Sequence, residues 1–447
     1  MFQTFKNAWK VPDIRKKLLF TLMILLLYRI GACLYVPYVD VKSLSANLEW
    51  FGSDSIFAFV SLISGDAFSK ATLFALSVSP YITASIVMQL LTIAIPALER
   101  LSKEGEEGKK KITAYTRWVT VGLALITAFG YVKLLQANNM TLINSLSDKA
   151  TGAEKAEYYF GMAVMIACFC AGAAIIMWLA EQINAHGIGN GISMVLFANI
   201  LSTCNSMIQG MIAMVTEKKG WMISVGILEV ILSIALTLGA ILLIVWFTNS
   251  ERKIPIQYAK RVVGRKMYGG QTSALPLKMN MAGVMPVIFA SSIVSIPATI
   301  AGFMKTNGFT KWVNNWFSYT SPLYIALFIV LIFAFSYFYI MISFNPVEVA
   351  NNIRSNGGAI PGIRPGKPTS DHIKKILNRI TLIGALFLVV ISGVPMIISA
   401  VTALFGVNFT SIAFTGTSLL IVVGVALETV RDLEAQLAMR NYKGFLD

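Results

Sequence analysis

The sequence predicts an all-α polytopic membrane protein with ten transmembrane helices and a short re-entrant segment. Three observations lead to the membrane class and the span count. Apolar residues make up 56% of the chain and charged ones 13%, with a mean hydropathy of +0.69, whereas a soluble domain carries roughly 25% charged residues. Apolar runs long enough to cross a hydrocarbon core about 30 Å thick recur from end to end. The polar segments between them alternate between rich and poor in Lys and Arg, as loops on opposite sides of a membrane do.

Taken in order, the chain begins with Phe2, Phe5 and Trp9 on one helical face and Lys6 and Lys10 elsewhere, a pattern that suits a helix lying on the membrane surface. No small-residue cleavage site follows the first apolar run, so no cleavable signal is expected. Spans are predicted near 18–36, 75–98, 113–135, 158–181, 188–212, 222–248, 281–303, 322–344, 378–400 and 411–430. Between the first two lies SIFAFVSLISGDAFSKATLF (55–74), apolar but broken by Gly65, Asp66 and Lys70. It is too interrupted to span and is expected to dip in from outside and return. Irregular backbone at that depth survives only against protein or a water-filled cavity, so this segment implies a cavity. Pro80, Pro286, Pro297, Gly393 and Pro395 point the same way, as bends within later spans.

The charge pattern orients the bundle. Residues 1–17, 99–111, 249–280, 345–379 and the tail from 431 hold 26 Lys and Arg; the intervening segments hold nine. Basic loops stay in the cytoplasm, so both termini are expected there. The same bias explains much of the +15 net charge with no DNA partner. One basic loop stands out: SNGGAIPGIRPGKPTS (355–370), rich in Gly, Pro and cations between two apolar spans.

Catalytic constellations are missing. His186 and His372 are not followed by the Glu of a zinc-protease helix, and no Gly-x-Ser-x-Gly elbow occurs. The stretch Gly362-Ile-Arg-Pro-Gly366-Lys367 falls one residue short of a phosphate loop and has Pro368 where Ser or Thr would hold magnesium. Cys33, Cys168, Cys170 and Cys204 lie in or beside apolar runs and read as small apolar residues. Asn139-Met-Thr and Asn408-Phe-Thr fit a glycosylation sequon too short to carry weight. Arg29 and Glu229 lie near outer ends of spans, where snorkelling to the interface accounts for them. No catalytic residue, cofactor or metal is expected.

Four stretches, SPYITASIVMQLL (79–91), WLAEQINAHGIGNGISM (178–194), LPLKMNMAGVMPVIFASSI (275–293) and TGTSLLIVVGVALE (415–428), closely resemble the SecY family of translocon pore subunits. NGGAIPGIRPG (356–366) resembles that family's last large cytoplasmic loop, and the likeness runs through essentially the whole chain in order. The resemblance implies two pseudo-symmetric inverted halves, 1–212 and 222–447, hinged by 213–221 around an hourglass pore. It places Val78, Ile82, Ile192, Leu196, Ile288 and Ile421 on an apolar pore ring, and the pairs Val78/Ile82 and Ile192/Leu196 have the four-residue spacing of one helix face. It makes 55–70 a plug, with Phe57, Phe59, Ser64, Gly65 and Asp66; Asp66 stands where many relatives have a second Gly. Thr83, Gln89, Ser291, Ser292 and Ser295 fall in its lateral gate, between spans two and three on one side and seven and eight on the other. Each hydroxyl would equally suit ordinary bonding to its own helix. Arg265, Lys266 and Arg364 fall on motor and ribosome docking loops.

The resemblance further implies SecE-like and SecG-like small membrane subunits, a SecA motor ATPase, a translating ribosome, unfolded or nascent polypeptide as substrate, and lipid at a sideways exit. The expected function is a protein-conducting channel of the bacterial cytoplasmic membrane. Three rivals remain: a secondary transporter, since inverted repeats occur there too, an accessory channel of the same family serving few substrates, and, weakly, an intramembrane enzyme.

Overall fold

Proline sets where several of the helices begin and break. The computed structural model of the chain describes residues 6, 8–46, 61, 64–142, 152–216, 222–258, 261–263, 266–268, 272–303, 308–317, 321–404 and 410–443. Helix α1 (Pro12–Gly31) starts with Pro at its first position, where the missing N–H costs nothing because that donor has no intrahelical partner anyway. A single turn, α2 (Val41–Ala46), follows. Helix α3 (Ser79–Ala94) ends because Ile95 precedes Pro96 and is pushed to an extended conformation (φ −107°, ψ 113°). The chain resumes as α4 (Pro96–Lys103) at 101° to α3. The predicted span 75–98 is therefore a bent pair.

Long helices then follow: α5 (Glu106–Ala137), α6 (Gly152–His186), α7 (Gly191–Thr216) and α8 (Met222–Asn249). After a β segment come α9 (Met285–Phe303), the short α10 (Gly308–Trp316), α11 (Pro322–Ser343), α12 (Pro346–Ser355), α13 (Lys367–Leu404) and α14 (Thr410–Lys443). A helix lies on each of the ten predicted stretches. Five helices among the described residues are long and apolar enough to cross a membrane unaided, and α3 with α4 makes a sixth if that bent pair is one span.

The chain is mostly helical, but the 249–280 loop departs from the all-α expectation. It folds into β1 (Glu251–Tyr258), β2 (Arg261–Val263), β3 (Lys266–Tyr268) and β4 (Thr272–Lys278). β1 pairs antiparallel with β4, opposing Ile254 to Leu275 and Ile256 to Ser273. On its other edge β1 takes β5 (Gly358–Ala359) from the 345–379 loop. The cause is local. Along β1, Ile254 and Ile256 point to one face and are buried while Lys253 and Pro255 stay outside, the period-two pattern of a half-buried strand.

The buried residues form one large cluster through the middle of the bundle, with smaller ones at its ends. The cluster under the β-sheet joins Ile254, Ile256 and Leu277 to Ile353, Ile360 and Ile373. The two basic loops thus share a core of their own. At the opposite end, Val36, Phe68, Leu76 and Tyr131 pack with Met140 and Phe169.

Candidate functional site

Four helices carry the six positions expected to form the ring, and all six belong to or pack against the central apolar cluster. Val78 caps the start of α3, and the Ile82 amide donates to its carbonyl at 3.0 Å. Ile192 and Leu196 open α7, Ile288 sits in the first turn of α9, and Ile421 lies within α14. Val78, Ile82, Leu196, Ile288 and Ile421 are all buried members of the central cluster, and half-buried Ile192 packs against it.

The approach of α7 to α6 depends on a tight glycine turn. Gly189 has φ +78°, a left-handed conformation natural to glycine. At Gly191 a β-carbon would stand 1.9 Å from the Ala180 carbonyl oxygen, so no other residue fits. Two side chains fix the turn: Asn184 accepts from the Gly191 amide at 2.7 Å, and Asn190 accepts from the Ile192 amide at 3.1 Å. The motif INAHGIGNGIS thereby fixes the start of α7, which carries Ile192 and Leu196.

Residues 64–77 lead into α3 from the segment expected to form the plug. Phe57 and Phe59 lie outside the described residues. Ser64 is buried, donating to the Ser61 carbonyl at 2.9 Å and accepting from the Phe68 amide at 3.1 Å. Gly65 (φ +62°) and Asp66 (φ +66°) are consecutive left-handed residues. They set the chain directly against α7: a β-carbon on Gly65 would stand 2.9 Å from the Asn199 carbonyl oxygen and 3.0 Å from its Cα. Asn199 is fully buried, and its Nδ2 donates to Ser77 Oγ at 3.2 Å. Sequence reasoning passed over Asn199, although an amide inside an otherwise apolar run was the available signal.

At the sheet end, Arg364 is exposed on the turn after β5. Its carbonyl accepts from Thr369 Oγ1 at 2.9 Å, and the Ile363 amide donates to Ile360 O at 3.0 Å. Gly357, Gly362 and Gly366 all have positive φ, so these turns need glycine. Buried Ile360 and half-buried Ile363 anchor the turn in the sheet's core. Lys266 opens β3, and Arg265 lies outside the described residues.

The SecY family profile matches residues 72–430. The chain belongs to the SecY family. Over their whole lengths, it is 43% identical to the protein translocase subunit SecY of Streptomyces galbus and 40% identical to that of Bacillus subtilis. Its fold is similar to a solved structure described as that of a protein conducting channel, with a TM-score of 0.59 and 17% identity over 95% of this chain and 96% of that one. It is similarly close to Sec61 in the canine ribosome-channel complex, with a TM-score of 0.58 and 16% identity over 96% of each chain. SecY relatives are translocase subunits rather than enzymes.

On this SecY-family chain, α9 packs against α3, α5, α10 and α11. The five predicted gate residues lie on α3 and α9, and each bonds within its own helix. Thr83 donates to Ser79 O at 3.1 Å, Gln89 to Ser85 Oγ at 3.4 Å, Ser291 and Ser292 to Ile288 O at 2.9 and 2.8 Å, and Ser295 to Ser292 O at 2.8 Å. These groups satisfy themselves on either side of the α3–α9 contact.

Proposed function

We propose that this chain is the pore-forming subunit of a protein-conducting channel, passing unfolded proteins across the bacterial cytoplasmic membrane and releasing apolar segments sideways into lipid. The observation that carries this is the convergence of Val78, Ile82, Ile192, Leu196, Ile288 and Ile421 from four helices into one uncharged cluster, in a chain matched end to end by protein translocase subunits. Such a waist has to admit any sequence yet hold back ions. A charged ring would select by charge, whereas an apolar constriction sheds water when empty and yields when filled.

In this reading the ten helices are ten spans, divided into halves 1–212 and 222–447 about the 213–221 hinge. The 55–70 segment is the plug, and α3 with α5 faces α9 with α11 across the sideways exit. The sheet loops, with Arg265, Lys266 and Arg364, receive a motor ATPase or a ribosome. Small SecE-like and SecG-like subunits brace the bundle. The ribosome assignment has support from the fold likeness to a channel solved with one.

The direct test is reconstitution into vesicles with motor, ATP and a secretory precursor. Precursor should become protected from protease only when this chain is present. In the same vesicles, Ile82→Gly combined with Ile288→Gly should raise the resting ion conductance, because a wider, less apolar waist stays wet. A resting conductance equal to wild type would remove both residues from the seal.

Topology has its own test, resting on the 26-to-nine distribution of cations. Cysteines at Glu106 and Gly270 should react only with reagent added from the cytoplasm, and those at Leu146 and Gly308 only from outside. Reversed labelling at either pair would end the ten-span arrangement.

A further inference from the structure

The β1–β4 hairpin leaves the bundle at the end of α8 and rejoins it ahead of α9. Its two roots are zipped by the Met279 amide donating to Ser250 O at 3.0 Å. A side chain from neither element holds the first root. Arg431, half-buried on α14, donates through Nη2 to the Thr248 carbonyl at 2.8 Å and to Asn249 Oδ1 at 2.9 Å. Thr248 is in the last turn of α8, whose terminal carbonyls have no intrahelical donors and carry the negative end of the helix dipole. A guanidinium is well suited there, because one planar group can reach the backbone and a side chain together.

The helix supplying Arg431 also supplies the ring. Ile421 lies ten residues earlier on α14, about 15 Å along the axis. Between the two levels runs a cavity of about 350 Å³, lined from Ile288 and Leu420 down to Thr248, Lys278 and Arg431. Beside this open space, Arg431 bonds the hairpin's root to a helix that reaches the ring.

We propose that Arg431 is a positioning residue that couples the docking hairpin to the pore: it fastens the hairpin's root to α14, so that a load on the hairpin shifts the helix carrying Ile421. This rests on the docking and ring assignments above. It adds a role that those assignments do not contain, since Arg431 lies in neither the docking loops nor the ring.

The test uses the complete channel complex in vesicles, with motor affinity and ATP-driven translocation of a precursor measured separately. Arg431→Met keeps an apolar stem of similar reach but removes every donor. It should leave motor affinity near wild type while lowering the translocation rate about two- to thirtyfold, the range for residues that carry coupling without touching a ligand. Arg431→Lys should recover part of the rate, since an ammonium reaches the carbonyl without bridging both acceptors. Asn249→Ala, which leaves Arg431 and the Thr248 bond in place, should show a smaller loss of the same kind, and this arm decides the matter should the Met variant fail to assemble. Normal translocation by the Met and Ala variants overturns the proposal. So does a parallel fall in motor affinity and rate, because Arg431 would then merely shape the docking surface. Arg364→Glu is run alongside: normal motor binding by that variant defeats the docking assignment itself.

Discussion

Arg364→Glu is expected to leave the chain inserted and its resting pore closed, yet to lower motor-driven translocation about 30-fold or more. That figure corresponds to the roughly 2–5 kcal/mol lost when one partner of a hydrogen-bonded charge pair at an interface is removed. The structure gives the reason this arginine is well placed. A long cation on a loose loop loses backbone freedom when it binds, at roughly 1–2 kcal/mol per residue ordered. Here the turn is ordered already: Pro361 and Pro365 fix φ on either side of Arg364, Thr369 holds its carbonyl, and Ile360 and Ile363 are packed below it. The guanidinium is exposed while its backbone is fixed. Arg364→Lys should keep an intermediate activity, because an ammonium cannot pair bidentately with a carboxylate or phosphate. Near-normal translocation by the Glu variant, measured with motor binding, would return the turn to being only a polar surface.

The loop's composition made its exposure legible in the sequence, but not its rigidity. Gly and Pro in a basic stretch read as a turn-rich segment held in water. That β5 would zip it to β1 depends on pairing between residues about a hundred positions apart, such as Gln257 with Ala359. No local pattern reports such a pairing. The strand signal in KIPI was present, at period two, but it occupies four residues inside a loop otherwise identified by its charge.

The helices were legible for the opposite reason. A span must be apolar over its whole length, so the lipid writes each one into a continuous run. The bend at Ile95 had a local signal in Pro96, but the span 75–98 was drawn straight through it. The ring was different: Ile82 and Ile288 look like any other isoleucine in a span, and only family resemblance distinguished them from packing. In the folded chain they share one large buried cluster with Ile421 and Leu196, among many other apolar residues. Arg431 and Asn199 were overlooked because their meaning lies in partners far along the chain, Thr248 in one case and Ser77 in the other.

Gly65→Ala is expected to unseat the re-entrant segment and shift the closed-to-open ratio about tenfold or more toward open, read as a higher resting conductance. Two costs add. A non-glycine residue held at φ +62° is strained by roughly 1–2 kcal/mol, and the new methyl would meet α7 at Ser202 Oγ (2.7 Å), Asn199 O (2.9 Å) and Asn199 Cα (3.0 Å). Ser202→Ala in the same chain removes the first of these contacts and not the other two, which are backbone. Its rescue should therefore be small, and a full rescue would show that the hydroxyl alone was in the way. Gly65→Val should be worse than Ala, because a β-branched side chain is the least tolerant of that conformation. The neighbouring residue supplies a test of opposite sign. Asp66 also has positive φ, which Asp tolerates and Gly adopts freely, so Asp66→Gly should leave the segment at least as well seated and the resting conductance no higher. If Gly65→Ala stays as tightly closed as wild type, the close approach to Asn199 does not hold the segment in place.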